Sequence, residues 1–292
     1  GFHAGNESQN AKITLKNCQQ FANALASSSN QQFNAKNPIM GATLPSGERV
    51  QIIMPPAIDQ DQFSITIRKP SAITLDLNYY KESGFFSKIV MGNEESPLNQ
   101  KLNSLLKEKN YADFFDLAVS SAEKNILIVG ETGSGKTTFM KSLINSIDQN
   151  ERLITIEDTR ELFLSHQNSV NLLYPQGASS TSSLNATVLL KSCLRMRPDR
   201  ILVSELRSGE TYDYINAISS GHGGSITSAH AGSVQEAIMR LTLMFLQNDT
   251  GSRIPYDVVE SLIRDTIDII AIIKVKNGQR NISELYWKDH KE

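Results

Sequence analysis

One stretch limits what this chain can fold into. Gly130-Glu131-Thr132-Gly133-Ser134-Gly135-Lys136-Thr137 follows the pattern G-x-x-x-x-G-K-[ST], with the apolar run Ile126-Leu127-Ile128-Val129 before it and the helix-compatible Thr138-Phe139-Met140-Lys141-Ser142-Leu143-Ile144 after it. Strand, glycine loop and helix in that order make a P-loop. The glycines let backbone N–H groups of residues Glu131 to Thr138 close around a phosphate chain, which also meets the positive end of a helix dipole. Lys136 reaches the β and γ phosphates and the Thr137 hydroxyl takes a place on Mg²⁺. A nucleoside triphosphate and Mg²⁺ are therefore the expected ligands.

From Tyr111 onward the sequence alternates helix-period and apolar strand-like runs, which is how a parallel α/β sheet reads. Strands are expected at 126–129, 153–156, 170–173, 201–204, 225–228 and 267–274, with a closing strand at 281–287. Helices are expected at 136–147, 185–196, 210–219, 233–246 and 256–264. Residues 1–83 read differently. Leu15, Cys18, Phe21, Ala22 and Leu25 share one helical face, and two strand-like runs follow, 49–54 and 63–68, ended by Pro55-Pro56 and Pro70. These predict a small α+β domain on an antiparallel sheet with helix on one face. The polar stretch 84–110 reads as an interdomain linker holding a short helix over 98–107, and 111–292 as the P-loop domain.

At 292 residues the chain has room for two cores, and 39% hydrophobic with 21% charged residues describes a globular protein. A net charge of -2 supplies no basic field for duplex nucleic acid, so composition argues against that partner. Cys18 and Cys193 lie far apart with no C-x-x-C, which predicts neither zinc knuckle nor redox pair and fits a reducing cytoplasm. No apolar run reaches the roughly 18 to 20 residues of a spanning helix, so any membrane contact is expected to be peripheral. The chain opens at Gly1 rather than Met and shows no signal peptide, as a trimmed or partial chain would.

A P-loop holds phosphates but does not activate water, so a carboxylate has to come from another strand end. Ile201-Leu202-Val203-Ser204-Glu205 brings Glu205 to the sheet's carboxyl edge, where it can orient the attacking water; this is the Walker B arrangement. Leu153-Ile154-Thr155-Ile156-Glu157-Asp158, with Glu161 beyond, is the second acid-bearing edge. An acid just past a strand also serves as a helix cap, a reading that stays open for Asp158 and Glu210. His230 comes just after the small-residue strand 225–228 at the same edge and can sense the γ-phosphate by a hydrogen bond, whereas the role of His222 stays open. Charge developing on the γ-phosphate calls for an arginine. Arg195 and Arg197 end a helix and serve its dipole equally well. No arginine occurs from 69 to 151, so a guanidinium from the small domain is Arg68 or Arg49.

Four ordered segments, 130–138, 155–162, 202–210 and 221–233, resemble the Walker A, Asp box, Walker B and His box of the traffic ATPases of bacterial secretion. Phe63-Ser64-Ile65-Thr66-Ile67-Arg68-Lys69-Pro70-Ser71 and the compact length resemble the VirB11 branch of type IV secretion systems. The resemblance spans residues 48 to 287. It implies a RecA-like P-loop domain with a smaller N-terminal α+β domain, and a cytoplasmic homohexamer at the inner face of the bacterial inner membrane. It also implies ATP bound between the two domains, whose hydrolysis does mechanical work on other secretion components. Carried over by position, it makes Lys136 and Thr137 phosphate and Mg²⁺ contacts and Glu205 the catalytic acid. Glu157 and Glu161 become Asp-box acids near the metal, in part through water, His230 the γ-phosphate reader and Arg68 a phosphate contact from the N-terminal domain. Two departures stand out: Ser204 replaces the glycine that commonly precedes the Walker B glutamate, and the start of the chain falls inside the N-terminal domain, so a first strand or helix is expected upstream.

Three other readings share parts of this pattern. A type II secretion or type IV pilus motor belongs to the same superfamily, though the four-cysteine insertion common in type II motors has no counterpart here. A DNA-translocating ring ATPase and a nucleotide-gated scaffold with negligible turnover are the others.

Overall fold

The computed structural model describes residues 13–71, 73–87, 89, 96–175 and 183–290. Helix α1 (Leu15–Ser28) starts at Thr14, whose hydroxyl accepts the Asn17 N–H while the Asn17 side chain reaches back to the Thr14 N–H. Its Ala22, Leu25 and Ala26 pack on Met40, Val50 and Ile52 of an antiparallel sheet of β1 (Ile39–Thr43), β2 (Arg49–Ile53) and β3 (Ser64–Arg68), in that spatial order. Strand β1 is an element beyond the two strand runs read from the sequence. Its Gly41 and Ala42 offer no β-branched alternation, and pairing with β2 from Ile39↔Ile53 to Thr43↔Arg49 holds it.

Three helices lead onward: α2 (Leu77–Glu82), α3 (Pro97–Lys107) and α4 (Tyr111–Ser120). Ser96 caps α3, and Leu102 buries against Phe114 and Trp287 with Leu98, Leu105 and Leu106 around it. The stretch read as linker therefore ends in a helix built into the core of the larger sheet.

That sheet contains β4 (Ile126–Gly130), β5 (Leu153–Glu157), β6 (Ser169–Leu173), β7 (Arg200–Val203), β8 (Ile226–Ala229), β9 (Ile269–Lys276) and β10 (Gln279–Trp287). The order is β10-β9-β4-β8-β7-β5-β6, parallel except for β10, which returns from β9 through a turn at Asn277 and Gly278, both at positive φ. Helices α5 (Lys136–Ile144), α6 (Ala186–Cys193), α7 (Glu210–Ser219), α8 (Val234–Phe245) and α9 (Tyr256–Thr266) cover the two faces. Alternation along β4 divides the burial: Ile126 and Ile128 join Met140 and Leu143 of α5, while Leu127 and Val129 join Ile238 and Leu241 of α8.

Asp268 interrupts the apolar run 267–273 because it works ahead of β9. Its carboxylate accepts the Asn125 N–H at 2.7 Å and pairs with Lys288 at 2.7 Å. The small sheet meets the large one along β6, through an Ile58↔Leu172 bridge, a Leu173 N–H to Ala57 carbonyl bond of 3.0 Å and an Arg160–Asp59 ion pair.

Candidate active site

Strand β4 ends at Gly130, where a Cβ would stand 2.5 Å from the Ile273 carbonyl oxygen and 2.6 Å from Ser134 Oγ, so only glycine lets the loop leave the sheet there. Gly133 at φ +78° and Gly135 at φ +100° turn the chain into α5. No side chain caps that helix, so its first-turn N–H groups are left for an incoming acceptor. Glu131, Thr132, Gly133 and Thr138 are exposed and Thr137 is half-buried. Ser134 is buried with its hydroxyl unpartnered.

Lys136 folds back under its own loop. Its ammonium donates to the carbonyls of Gly130 at 3.0 Å and Glu131 at 3.1 Å, and stands 3.3 Å from His230 Nδ1. Burial pulls the lysine's pKa below its ordinary value, with Glu205 opposing that effect, Arg207 adding to it and Glu161 opposing it. The same Nδ1 stands 3.1 Å from the Gly130 carbonyl oxygen, so lysine and loop share this edge of the ring, and the other ring nitrogen is Nε2. That nitrogen lies 2.5 Å from Glu205 Oε1. The other carboxylate oxygen accepts from Arg207 Nε at 2.6 Å, and Arg207 Nη1 reaches Asp158 at 2.5 Å. Burial works against the Arg207 charge, yet the bonds to Glu205 and Asp158 outweigh it and lift the guanidinium above its ordinary value.

The strand ends explain how these groups meet. β4, β8, β7 and β5 run parallel and adjacent, so Gly130, His230, Glu205 and Asp158 all emerge at one carboxyl edge. Glu157 emerges there too, but its carboxylate turns inward. It accepts the Thr155 hydroxyl at 3.0 Å and the N–H groups of Glu161 and Leu162 at 2.9 Å each. It thereby shapes the loop that presents Glu161, which is exposed. Glu210 accepts the N–H of Arg207 at 2.6 Å and of Ser208 at 2.9 Å, so it fixes the turn after Glu205. Among the described residues no group of three or more His, Cys, Asp or Glu side chains forms a metal cage. Thr137 and one nearby carboxylate still suit a magnesium ion whose other ligands are phosphate oxygens and water.

Other expected residues lie elsewhere. His222 precedes β8, at the opposite end of the strand from His230. Arg195 stands against Gly41 of the small sheet. Arg68 is exposed on β3, directly opposite Arg49 in register, and no hydrogen bond or ion pair among the described residues joins it to the P-loop. The small sheet packs on β6, four strands from β4 and so about 19 Å away across the sheet. Sequence reading gave Arg207 no role. Its position two residues after Glu205, within reach of that carboxylate, was the available signal.

Residues 11–277 match the family model described as type II/IV secretion system protein. The chain is 46% identical over 266 residues to the type IV secretion system protein VirB11 of Brucella abortus, covering 88% of this chain and 73% of that one. It is 37% identical over 289 residues to the type IV secretion system protein PtlH of Bordetella pertussis, covering 97% and 85%. It superposes on the crystal structure of the VirB11 ATPase of the Brucella suis type IV secretion system in complex with sulphate with a TM-score of 0.87 at 43% identity, covering 94% of this chain and 84% of that one. The chain thus belongs to the type II/IV secretion system protein family, as a member of its VirB11 branch.

Proposed function

We propose that this chain is an ATPase that couples hydrolysis of Mg-ATP to conformational work on a type IV secretion system. The observation that carries this reading is the continuous link from the P-loop lysine through His230 to the Walker B carboxylate. Lys136 would exchange its loop carbonyls for β and γ phosphate oxygens. The backbone from Glu131 to Thr138 and the Ser134 hydroxyl, buried without a partner, would hold the remaining oxygens. Glu205 would take the proton of the attacking water, and His230, whose Nε2 stands 2.5 Å from Glu205 Oε1, would report whether a γ-phosphate is present. Thr137 and Glu161 would hold Mg²⁺, directly or through water, with Glu157 setting the Glu161 loop; the ion would supply positive charge to offset that of the phosphates.

Arg49 and Arg68 face each other across β2 and β3, a like-charge pairing that costs stability unless an anion sits between them. Because β6 is the sheet edge far from β4, these arginines would serve the P-loop of a neighbouring copy. That supports the expected homohexamer, with residues 1–83 as the moving unit, 84–110 as connector and 111–292 as the ATPase unit. No helix of the described residues is long and apolar enough to cross a membrane. Contact with the cytoplasmic face of the inner membrane would then run through the surface and through other secretion components. Named relatives from type IV secretion favour this reading over a pilus or type II motor, and the net charge of -2 disfavours a DNA translocase.

Steady-state phosphate release with Mg-ATP, paired with the assembly mass with and without nucleotide, tests the proposal. Glu205→Gln is expected to bind ATP like the parent and lose turnover. Equal turnover in Glu205→Gln and parent, or no ATP affinity in the parent, would overturn it.

A further inference from the structure

The chain runs past the sheet edge at one place beside the P-loop. β4 stops at Gly130, level with Ile273, but β9 continues to Lys276 and turns back into β10. Residue 275 lies two positions beyond that level, or about 7 Å further along the strand. Alternation decides which way the hairpin tip presents its side chains. Ile269, Ala271 and Ile273 face α5, so Val275 does too, and Arg280 stands directly opposite Val275 in register. Lys274 and Lys276 therefore project from the other face. Arg280 lies along the P-loop. A Cβ on Gly135 would meet its Cδ at 3.0 Å and its Nε at 3.3 Å, and its Nη2 reaches the Gly133 carbonyl at 3.5 Å. Both Arg280 and Val275 are exposed.

Sheet order gives this position a meaning. Glu205 and His230, the groups at the γ-phosphate end, stand beyond β8 on one flank of β4. A phosphate chain held by the loop then has its nucleoside end on the opposite flank, where β9 and β10 lie. From this arrangement, and resting on the ATPase reading above, we propose that Arg280 holds the α-phosphate and ribose edge of the nucleotide, with Val275 as an apolar shelf beside it. An arginine suits the task because its planar fork can leave the Gly133 carbonyl and take two phosphate oxygens at once. It contacts the part of the nucleotide that does not react, so it binds substrate, product and transition state alike.

The test is calorimetric titration of the full chain with ADP, together with kcat and KM for Mg-ATP, on parent, Arg280→Ala and Lys276→Ala. Arg280→Ala is expected to weaken ADP binding about tenfold and raise KM similarly with kcat within twofold. Lys276→Ala, one residue from the turn but on the far face, is expected to match the parent. Arg280→Lys should recover part of the affinity, since the charge remains and the fork is lost. An Arg280→Ala protein with parental ADP affinity overturns the assignment while leaving the ATPase reading intact. A kcat loss as large as the affinity loss overturns it as well, because that pattern belongs to a loosened P-loop. A parent that binds no ADP overturns both readings together.

Discussion

Lys136 Nζ stands 3.3 Å from His230 Nδ1, although 94 residues separate them, because β4 and β8 are adjacent parallel strands that end at the same edge. The histidine thereby joins the P-loop lysine on one side to the Glu205 carboxylate on the other. Whatever draws Lys136 away from its carbonyls also removes one of the groups that face the ring, leaving Glu205 and the Gly130 carbonyl at 3.1 Å. His230→Ala is expected to lower kcat about 100-fold, as loss of one preorganised polar group does. ADP affinity should stay within about threefold of the parent's, since the loop is unchanged. Turnover kept within twofold would remove His230 from the reaction.

Arg207 binds Glu205 at 2.6 Å and Asp158 at 2.5 Å, so one guanidinium gathers acids from β7 and β5. Its side chain is 52% exposed, which limits its share of stability to below about 1 kcal/mol. Its effect should instead fall on where Glu205 points. Arg207→Ala is expected to slow turnover by roughly 10- to 100-fold through misplacement of the carboxylate, with Tm nearly unchanged. Lysine should restore little, since it lacks the fork that spans two carboxylates. Phosphate release and a thermal melt on the same samples decide the point, and a large drop in Tm would instead mark Arg207 as a structural strut.

How much of this was legible in the sequence depends on the range of the interaction. β4, the P-loop and α5 were readable because glycines, an apolar run and a helix start lie within about 20 consecutive residues. Glu205 and His230 were readable as acid and histidine at strand ends. That they touch was not, because strand order is set by packing across both faces and leaves no local period. β1 escaped notice for the converse reason: Gly41 and Ala42 have weak strand preference, and only β2 and the cover of α1 make the segment a strand. Arg280 was hidden because its meaning comes from a register, Arg280↔Val275, that no short window contains.

Arg200 begins β7 with its side chain fully buried, making a two-pronged pair to Glu151 at 2.6 and 2.7 Å and donating to the carbonyls of Val119 at 2.7 Å and Gly224 at 3.2 Å. It ties together the amino edge of the sheet, away from the P-loop. Arg200→Ala leaves a carboxylate and two carbonyls without their donor and is expected to cost about 3 to 5 kcal/mol. Adding Glu151→Leu should return part of that, but not all, since both carbonyls remain unpaired. Urea unfolding of the single and double variants measures this. A single variant within about 1 kcal/mol of the parent would show that water replaces the guanidinium freely.

Glu157 offers a pH-dependent test of how the Asp-box loop is held. Burial raises its carboxyl pKa above the ordinary value, while the N–H groups of Glu161 and Leu162 and the Thr155 hydroxyl pull the other way without cancelling it. In the unfolded chain the same carboxyl titrates near ~4.3. Between that pH and the raised folded value the native state holds more of the proton than the unfolded state. Stability arising from this group therefore falls as pH rises through the window. Glu157→Gln has no proton to release, and its amide oxygen still accepts from Glu161 and Leu162. The Tm of Glu157→Gln minus that of the parent is thus expected to be more positive at pH 7 than at pH 4.5. A difference independent of pH would mean that the carboxylate is stabilised by its donors as fully as it is by water, and that burial sets no tension in this loop.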